Sequence, residues 1–281
     1  MIRSIELALL PEDAADQTLQ IQLASSLLNI HISRIRELII TKRSIDARGR
    51  TVKIRLMADV YIDELSSNSA EQKTFSFHQD VFAARRVIII GCGPAGMFAA
   101  LKLIEQGLKP IIIERGKDVQ QRRRDLAAIN KQGIINEDSN YCFGEGGAGT
   151  YSDGKLYTRS SKRGDIHRIL DILIHHGADP TIKIDAHPHI GTNKLPKIVQ
   201  EIRTTILNAG GEIHFDTRLI DIIENQNSFQ SVLIKNLSTG KEDQIEGHAL
   251  ILATGHSARD IYELFARKNW TIEAKPFALG V

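Results

Sequence analysis

Three glycines, Gly91, Gly93 and Gly96, stand in the pattern Gly-x-Gly-x-x-Gly at the end of a β-branched run, Arg86 to Ile90. Residues of this type at this spacing let a backbone approach a phosphate. Gly91 permits a tight turn out of a strand, Gly93 lacks the Cβ that would hold a pyrophosphate away, and Gly96 lets a helix pack close to the strand. A helix is expected from Met97 to Gln106, with Pro94 accommodated in the first turn, where no N–H is needed from it. The helix N-terminus offers free N–H groups and a positive dipole end to an anion. A second apolar run, Pro110 to Ile113, ends in Glu114, 18 residues after Gly96, and Arg115 follows it. A carboxylate at that point accepts hydrogen bonds from ribose hydroxyls and repels a 2′-phosphate. The pattern therefore predicts a βαβ unit for an adenine dinucleotide other than NADP. Its cofactor-binding candidates are Gly91, Gly93, Pro94, Ala95, Gly96, Glu114 and Arg115.

Two further segments turn the expectation from NAD towards FAD. Phe143 to Lys155 is glycine-rich and can bring backbone N–H groups against a flavin or its phosphates, with Gly146, Gly147, Ala148, Gly149, Ser152, Asp153 and Lys155 as candidates. Leu250 to Ala253 reads as a buried strand that ends in Thr254-Gly255, which makes Ala253, Thr254 and Gly255 candidates at the cofactor edge of the sheet. His256 and Arg259 follow directly. Loop residues at the carboxyl end of such a strand face the cofactor crevice, so His256 is the first candidate for a proton donor or acceptor. The alternative is that Ser257 caps a short helix and His256 packs against it. Lys155 and Arg159 are candidate cations for stabilising an anionic reduced flavin, and the alternative for each is a solvated side chain. Lys155, His256 and Arg259 make up the candidate catalytic set.

Other reactive residue types carry less. Cys92 lies inside the glycine turn and is expected as a small buried side chain. Cys142 stands alone before the glycine-rich run, so no Cys-x-x-x-x-Cys dithiol is formed there. Asp185, His187 and His189 alternate as they would on one strand face, too few to hold a metal, and none is expected. Lys42, Arg43, Arg48, Arg50, Lys53 and Arg55 crowd fourteen positions and form either an anion-binding or a solvated face. Aromatic residues for stacking RNA bases are nearly absent there, Tyr61 aside. Arg122 to Arg124 either helps hold the adenine end or forms a polar helix face.

These residues need elements to position them. Strands are expected at Ile2 to Leu10, Ile35 to Arg43 and Thr51 to Ile62, with a helix carrying Leu19, Leu23, Leu27 and Leu28 between the first two. The third strand alternates, with Val52, Ile54, Leu56, Ala58, Val60 and Ile62 on one face. Helices are expected over Asp118 to Lys131, Ile166 to His176 and Leu195 to Asn208, and strands over Glu212 to Glu224 and Ser231 to Leu237. The expected boundary falls near Ala84. It separates a small N-terminal α/β domain (1–84), with a ferredoxin-like arrangement as one option, from a Rossmann-like domain (85–281).

At 281 residues with 42% hydrophobic content, the chain can hold one large domain or two ordinary ones, each with a real core. A net charge of +2 demands neither nucleic acid nor a membrane, and two cysteines make no disulfide framework, which fits a reducing cytoplasm. No signal peptide is read in Met1 to Asp16.

Phe143 to Lys155, Ala253 to Asp260, Ser44 to Arg48 and His189 to Leu195 resemble the bacterial uncharacterised FAD-dependent dehydrogenases, also called NAD(FAD)-utilising dehydrogenases. These are flavoproteins of the type with two dinucleotide-binding domains, and the resemblance covers essentially the whole chain. It implies an FAD-dependent oxidoreductase in which the flavin accepts a hydride or electrons from an organic substrate or from transiently bound NAD(P)H. Such proteins close the FAD site with a late Gly-Asp segment that does not follow Gly255 here, so a C-terminally truncated domain that binds FAD weakly or not at all is expected. The rivals are an NAD-binding dehydrogenase without flavin and a non-enzymatic scaffold that binds RNA or another partner.

Overall fold

The computed structural model describes residues 1–66, 75, 77, 80–156, 164–226 and 228–276. In chain order the elements are β1 (Ile2–Leu9), α1 (Gln17–Leu28), β2 (Ile35–Asp46), β3 (Lys53–Ile62), β4 (Arg86–Ile90), α2 (Pro94–Glu105), β5 (Lys109–Ile113) and α3 (Val119–Gln132). They continue with α4 (Ile166–His175), α5 (Leu195–Asn208), β6 (Glu212–His214), β7 (Thr217–Asn225), β8 (Ser228–Asn236), β9 (Glu242–Glu246), β10 (Ala249–Leu252) and α6 (Arg259–Arg267).

The chain divides into two compact units, Met1–Phe75 with Asp153–Leu195, and Ser76–Ser152 with Pro196–Val281. This differs from a single boundary near Ala84, because residues 153–195 join the N-terminal unit. The backbone explains how. Arg43 N–H donates to the Ile184 carbonyl at 2.6 Å, and Ala186 N–H donates to the Arg43 carbonyl at 2.9 Å. The Arg43 guanidinium also grips Asp185 at 2.6 Å.

In the first unit β1, β3 and β2 form an antiparallel sheet in that order. Its inner face buries Leu7, Leu38, Leu56, Ala58 and Val60 against Ala24 of α1. Asp16 caps α1 by accepting the Thr18 and Leu19 N–H groups, which would otherwise have no partner. Among the described residues the N-terminal stretch is βαββ with three strands, short of the four that a ferredoxin-like arrangement has. Asp185, His187 and His189 do not share a strand; they follow a short helical turn, Pro180–Lys183. Three of the six cations of the basic hairpin are held in ion pairs with described residues. Asp46 accepts from both Arg48 and Arg55, Arg55 also reaches Glu6, and Arg43 is held by Asp185.

In the second unit a parallel sheet runs β10-β4-β5-β6. β4 and β5 are apolar on both faces because both are covered, as parallel strands require. Ile88, Ile90, Ile111 and Ile113 pack on Leu219, Ile222, Val232 and Ile234 of the antiparallel β7-β8-β9 sheet and on Ile261 and Leu264 of α6. The single strand expected over 212–224 is broken at Asp216, whose φ of 49° turns the chain out of one sheet into the other. β9 was not anticipated as an element; α6 answers to the short helix of the alternative reading for His256, without Ser257 as its cap.

Two glycines fix the turn after β4. Gly91 has φ +106°, and a Cβ there would lie 2.4 Å from the Ala253 carbonyl oxygen. A Cβ on Gly96 would lie 2.0 Å from the Gly91 oxygen. At Gly93 the nearest atom to an added Cβ is the Gly147 Cα, at 3.8 Å. Gly96→Ala should therefore cost about 1–3 kcal/mol or more by overpacking against backbone. Gly93→Ala should cost less, about 0.5–1 kcal/mol, the preference of a helix N-cap for glycine over alanine with no clash added. Denaturant unfolding of the two variants checks the contrast, and equal losses would contradict it.

Candidate functional site

The carboxyl ends of β4, β5 and β10 open onto one cleft of about 420 Å3 within the second unit. This is the crevice that parallel sheets reserve for ligands. Gly91, Gly93, Pro94 and Ala95 line it from the turn that starts α2, and Glu114 and Arg115 from the end of β5. Gly147 and Ala148 contribute the glycine-rich wall, and Ala253, Thr254, Gly255 and His256 the end of β10. Gly93 is the N-cap of α2 and Pro94 its first residue, so the amides of the first helical turn open at the cleft.

Other expected residues stand elsewhere. Gly96 is buried beneath the turn. Gly146, Gly149, Ser152 and Arg259 are not among the cleft-lining residues. Gly146 N–H donates to the Cys92 carbonyl at 2.8 Å, and the Ser152 hydroxyl donates to the Gly149 carbonyl at 2.7 Å. Asp153 and Lys155 belong to the other compact unit, where they pair with each other at 3.3 Å, with Lys155 79% exposed. Arg159 lies outside the described residues. The helix after His256 is capped at Ala258, with no side-chain cap, so Ser257 does not cap it; His256 is exposed on the cleft.

Glu114 does more than a ribose ligand would. Its carboxylate is 5% exposed. It accepts N–H groups from Cys92 at 2.7 Å, Gly116 at 2.9 Å and Gly144 at 3.0 Å. One side chain thereby ties the glycine turn, its own loop and the glycine-rich loop together. Of a carboxylate's roughly four acceptor positions, about one is left for a ligand. Arg115 is equally committed, to Asp138 at 2.6 Å and Asp260 at 3.0 Å, with its guanidinium 4.3 Å from the Phe143 ring centre. Asp260 and Phe143 line the cleft, as do Thr217, Arg218 and Leu219 of β7. Nothing local in the sequence marks the β7 residues, because they reach the cleft through sheet-on-sheet packing.

The glycine-rich loop has no sheet or helix ladder of its own, and Arg122 supplies its donors. This guanidinium is fully buried. It donates to the carbonyls of Asn140 at 2.9 Å, Tyr141 at 3.1 Å, Glu145 at 2.8 Å and Gly147 at 2.9 Å. It therefore neither faces a polar helix surface nor lines the cleft; it shapes the cleft wall from behind. Beside it the Glu145 carboxyl is also fully buried. It accepts from Val119 N–H at 2.8 Å and from Arg203 at 3.2 Å, and burial pushes its pKa up to about 7. Cys92 is buried, with its thiol pKa raised by desolvation, whereas Cys142 is exposed on the cleft wall.

Residues 85–270 match the family model described as pyridine nucleotide-disulphide oxidoreductase. The chain belongs to this family. Residues 1–61 match a domain of unknown function, DUF8436. An uncharacterized protein of Clostridium beijerinckii (strain ATCC 51743 / NCIMB 8052) is 38% identical over 270 residues, 90% of this chain and 49% of that protein. The chain thus spans about half the length of the curated relative it matches. Among solved structures, THI4 of Thermovibrio ammonificans is 16% identical, with 66% of this chain and 64% of that chain covered at a TM-score of 0.43. The glycerol-3-phosphate dehydrogenase of Bacillus halodurans, complexed with FAD, is 12% identical, with 68% and 39% covered at a TM-score of 0.43. For this member of the oxidoreductase family, no described helix is long and apolar enough to cross a membrane. Among the described residues no His, Cys, Asp and Glu are grouped as metal ligands would be.

Replacing Arg122 with Met keeps the apolar stem and strands several buried carbonyls. Each unsatisfied group costs about 1–3 kcal/mol, so a loss of about 3–5 kcal/mol is expected after relaxation. Arg124, exposed on the same helix, should tolerate Ala within about 0.5 kcal/mol. Thermal or denaturant unfolding of both variants measures the difference.

Proposed function

We propose that this chain carries the FAD-binding part of an FAD-dependent oxidoreductase, of the kind called NAD(FAD)-utilising dehydrogenases, acting in the cytoplasm on a small organic substrate. The observation that carries this reading is that the α2 N-terminus and the glycine-rich loop line the same cleft of about 420 Å3. A Cβ on Gly93 would touch the Gly147 Cα at 3.8 Å, ordinary van der Waals contact, so glycine at both positions lets the two loops pack against each other beside the cleft. That both loops face one cleft favours FAD over NAD, because an NAD site needs only the first.

In this reading the first-turn amides of α2 hold the phosphates, and the remaining acceptor position of Glu114 takes a ribose hydroxyl while its charge disfavours a 2′-phosphate. FAD, when bound, supplies two-electron chemistry and accepts a hydride. His256 is the residue at the cleft suited to hold or move a proton. Lys155 and Arg259 keep no assigned part in the chemistry on this geometry. Cys92 and Cys142 are both free thiols, one buried and one exposed, and do not form a dithiol relay. NAD(P)H enters the proposal as a transient electron donor. The first unit, with three of its hairpin's cations held in ion pairs and few aromatics for stacking bases, is proposed as a separate small domain with no role in binding RNA.

Titration of FAD with the purified chain, followed by flavin fluorescence, tests the reading. FAD should bind and NAD should fail to displace it. Gly93→Val should weaken FAD by at least about tenfold, equivalent to about 1.4 kcal/mol, while the variant keeps a cooperative thermal unfolding transition. Tight NAD binding with no response from FAD would overturn the proposal.

A further inference from the structure

Glu145 stands apart from the residues that line the cleft, yet it anchors the loop that does. Its N–H donates to the Lys117 carbonyl at 3.0 Å, and the next residue, Gly146, bonds the Cys92 carbonyl at 2.8 Å. Its Oε2 holds Val119 N–H at the start of α3 and Arg203 of α5. Its Oε1 is buried and has no hydrogen-bond partner among the described residues. A buried carboxylate with one bare oxygen is costly when ionised, whereas a neutral carboxyl in the same place costs far less. Gly147 and Ala148, only two and three residues further on, line the cleft.

We propose that Glu145 is a positioning residue that takes up a proton when an anionic dinucleotide enters the cleft, so that binding weakens as pH rises. This rests on the FAD reading above. The groups that face Glu145 are identifiable on every side. From α3 come its N-cap Asp118, Arg122 and the helix N-terminus; from α5, Arg203. From the end of β5 comes Glu114, from the glycine turn Cys92, and from the loop itself Tyr151. Arg203 and the Val119 N–H favour the ionised form; burial, Asp118 and Glu114 oppose it, and the balance lies near pH 7.

A pyrophosphate at the α2 N-terminus adds negative charge on the side of Gly147 and Ala148. That charge acts in the same direction as Glu114 and Asp118 and raises the Glu145 pKa in the complex. The sign follows from linkage. A group with a higher pKa in the bound state gives its full contribution to affinity below the free-state pKa, and loses it as pH rises through both values. Each unit of rise corresponds to a tenfold weaker affinity at high pH than at low pH.

Calorimetric titration of the chain with FAD near neutral pH, in buffers of different ionisation enthalpy, reads the proton uptake directly. Wild type should take up a substantial fraction of a proton per FAD, and Glu145→Gln, a neutral isostere, should take up none. FAD affinity should fall by about tenfold across the neutral range in wild type and stay flat in the variant. A binding heat without buffer dependence, or an equal uptake in Glu145→Gln, overturns the inference while leaving FAD binding intact. No binding heat for FAD at any pH overturns the functional reading instead. If Glu145→Gln does not fold, the carbon-13 resonance of the Glu145 carboxyl in wild type decides: its titration midpoint should rise when FAD is added, and an unmoved midpoint contradicts the proposal.

Discussion

The cleft depends on one buried cation. The glycine-rich loop presents carbonyl after carbonyl to the protein interior without a strand or helix to pair them, and buried carbonyls need donors. Arg122 meets that need from a single position in α3, donating to Asn140, Tyr141, Glu145 and Gly147. Only a guanidinium offers enough donors in one rigid fork. Desolvation lowers its pKa, but Glu114, Glu145 and Tyr151 support its charge. The loop's glycines can then turn outward and leave the cleft open.

Around that cation the carboxylates divide the work. Glu114 faces the cleft and ties three loops by their amides. Glu145 lies behind the loop and ties it to α3 and α5. Arg115 is clamped between Asp138 and Asp260, which joins the end of β5 to the start of α6. The site is therefore held by charged groups that bind protein, with the backbone of the glycine turn and the first turn of α2 left to meet a ligand.

Most of this scaffold was legible in the sequence, for local reasons. β4, α2 and β5 announce themselves by apolar runs and glycine spacing, and Glu114 by its distance from Gly96. What was not legible was non-local. The donors to Glu114 include Gly144, thirty residues away, so its structural part had no sequence signal. Arg122 read as one of three polar arginines because nothing local shows that a loop folds over it. Residues 153–195 join the first unit through Arg43, Ile184 and Asp185, a pairing that periodicity does not reveal. β9 is short and polar, and α6 follows the Ala-Thr-Gly end of β10 so closely that the sequence offered a short helix there only as the alternative to a loop.

Amide hydrogen exchange with and without FAD tests the central claim most directly, because it reports on both walls of the cleft in one measurement. The account predicts slower exchange in residues 91–97 and in residues 144–149 when FAD is present. Protection confined to the first segment, or absent from both, would contradict a cleft built by the glycine turn and the glycine-rich loop together.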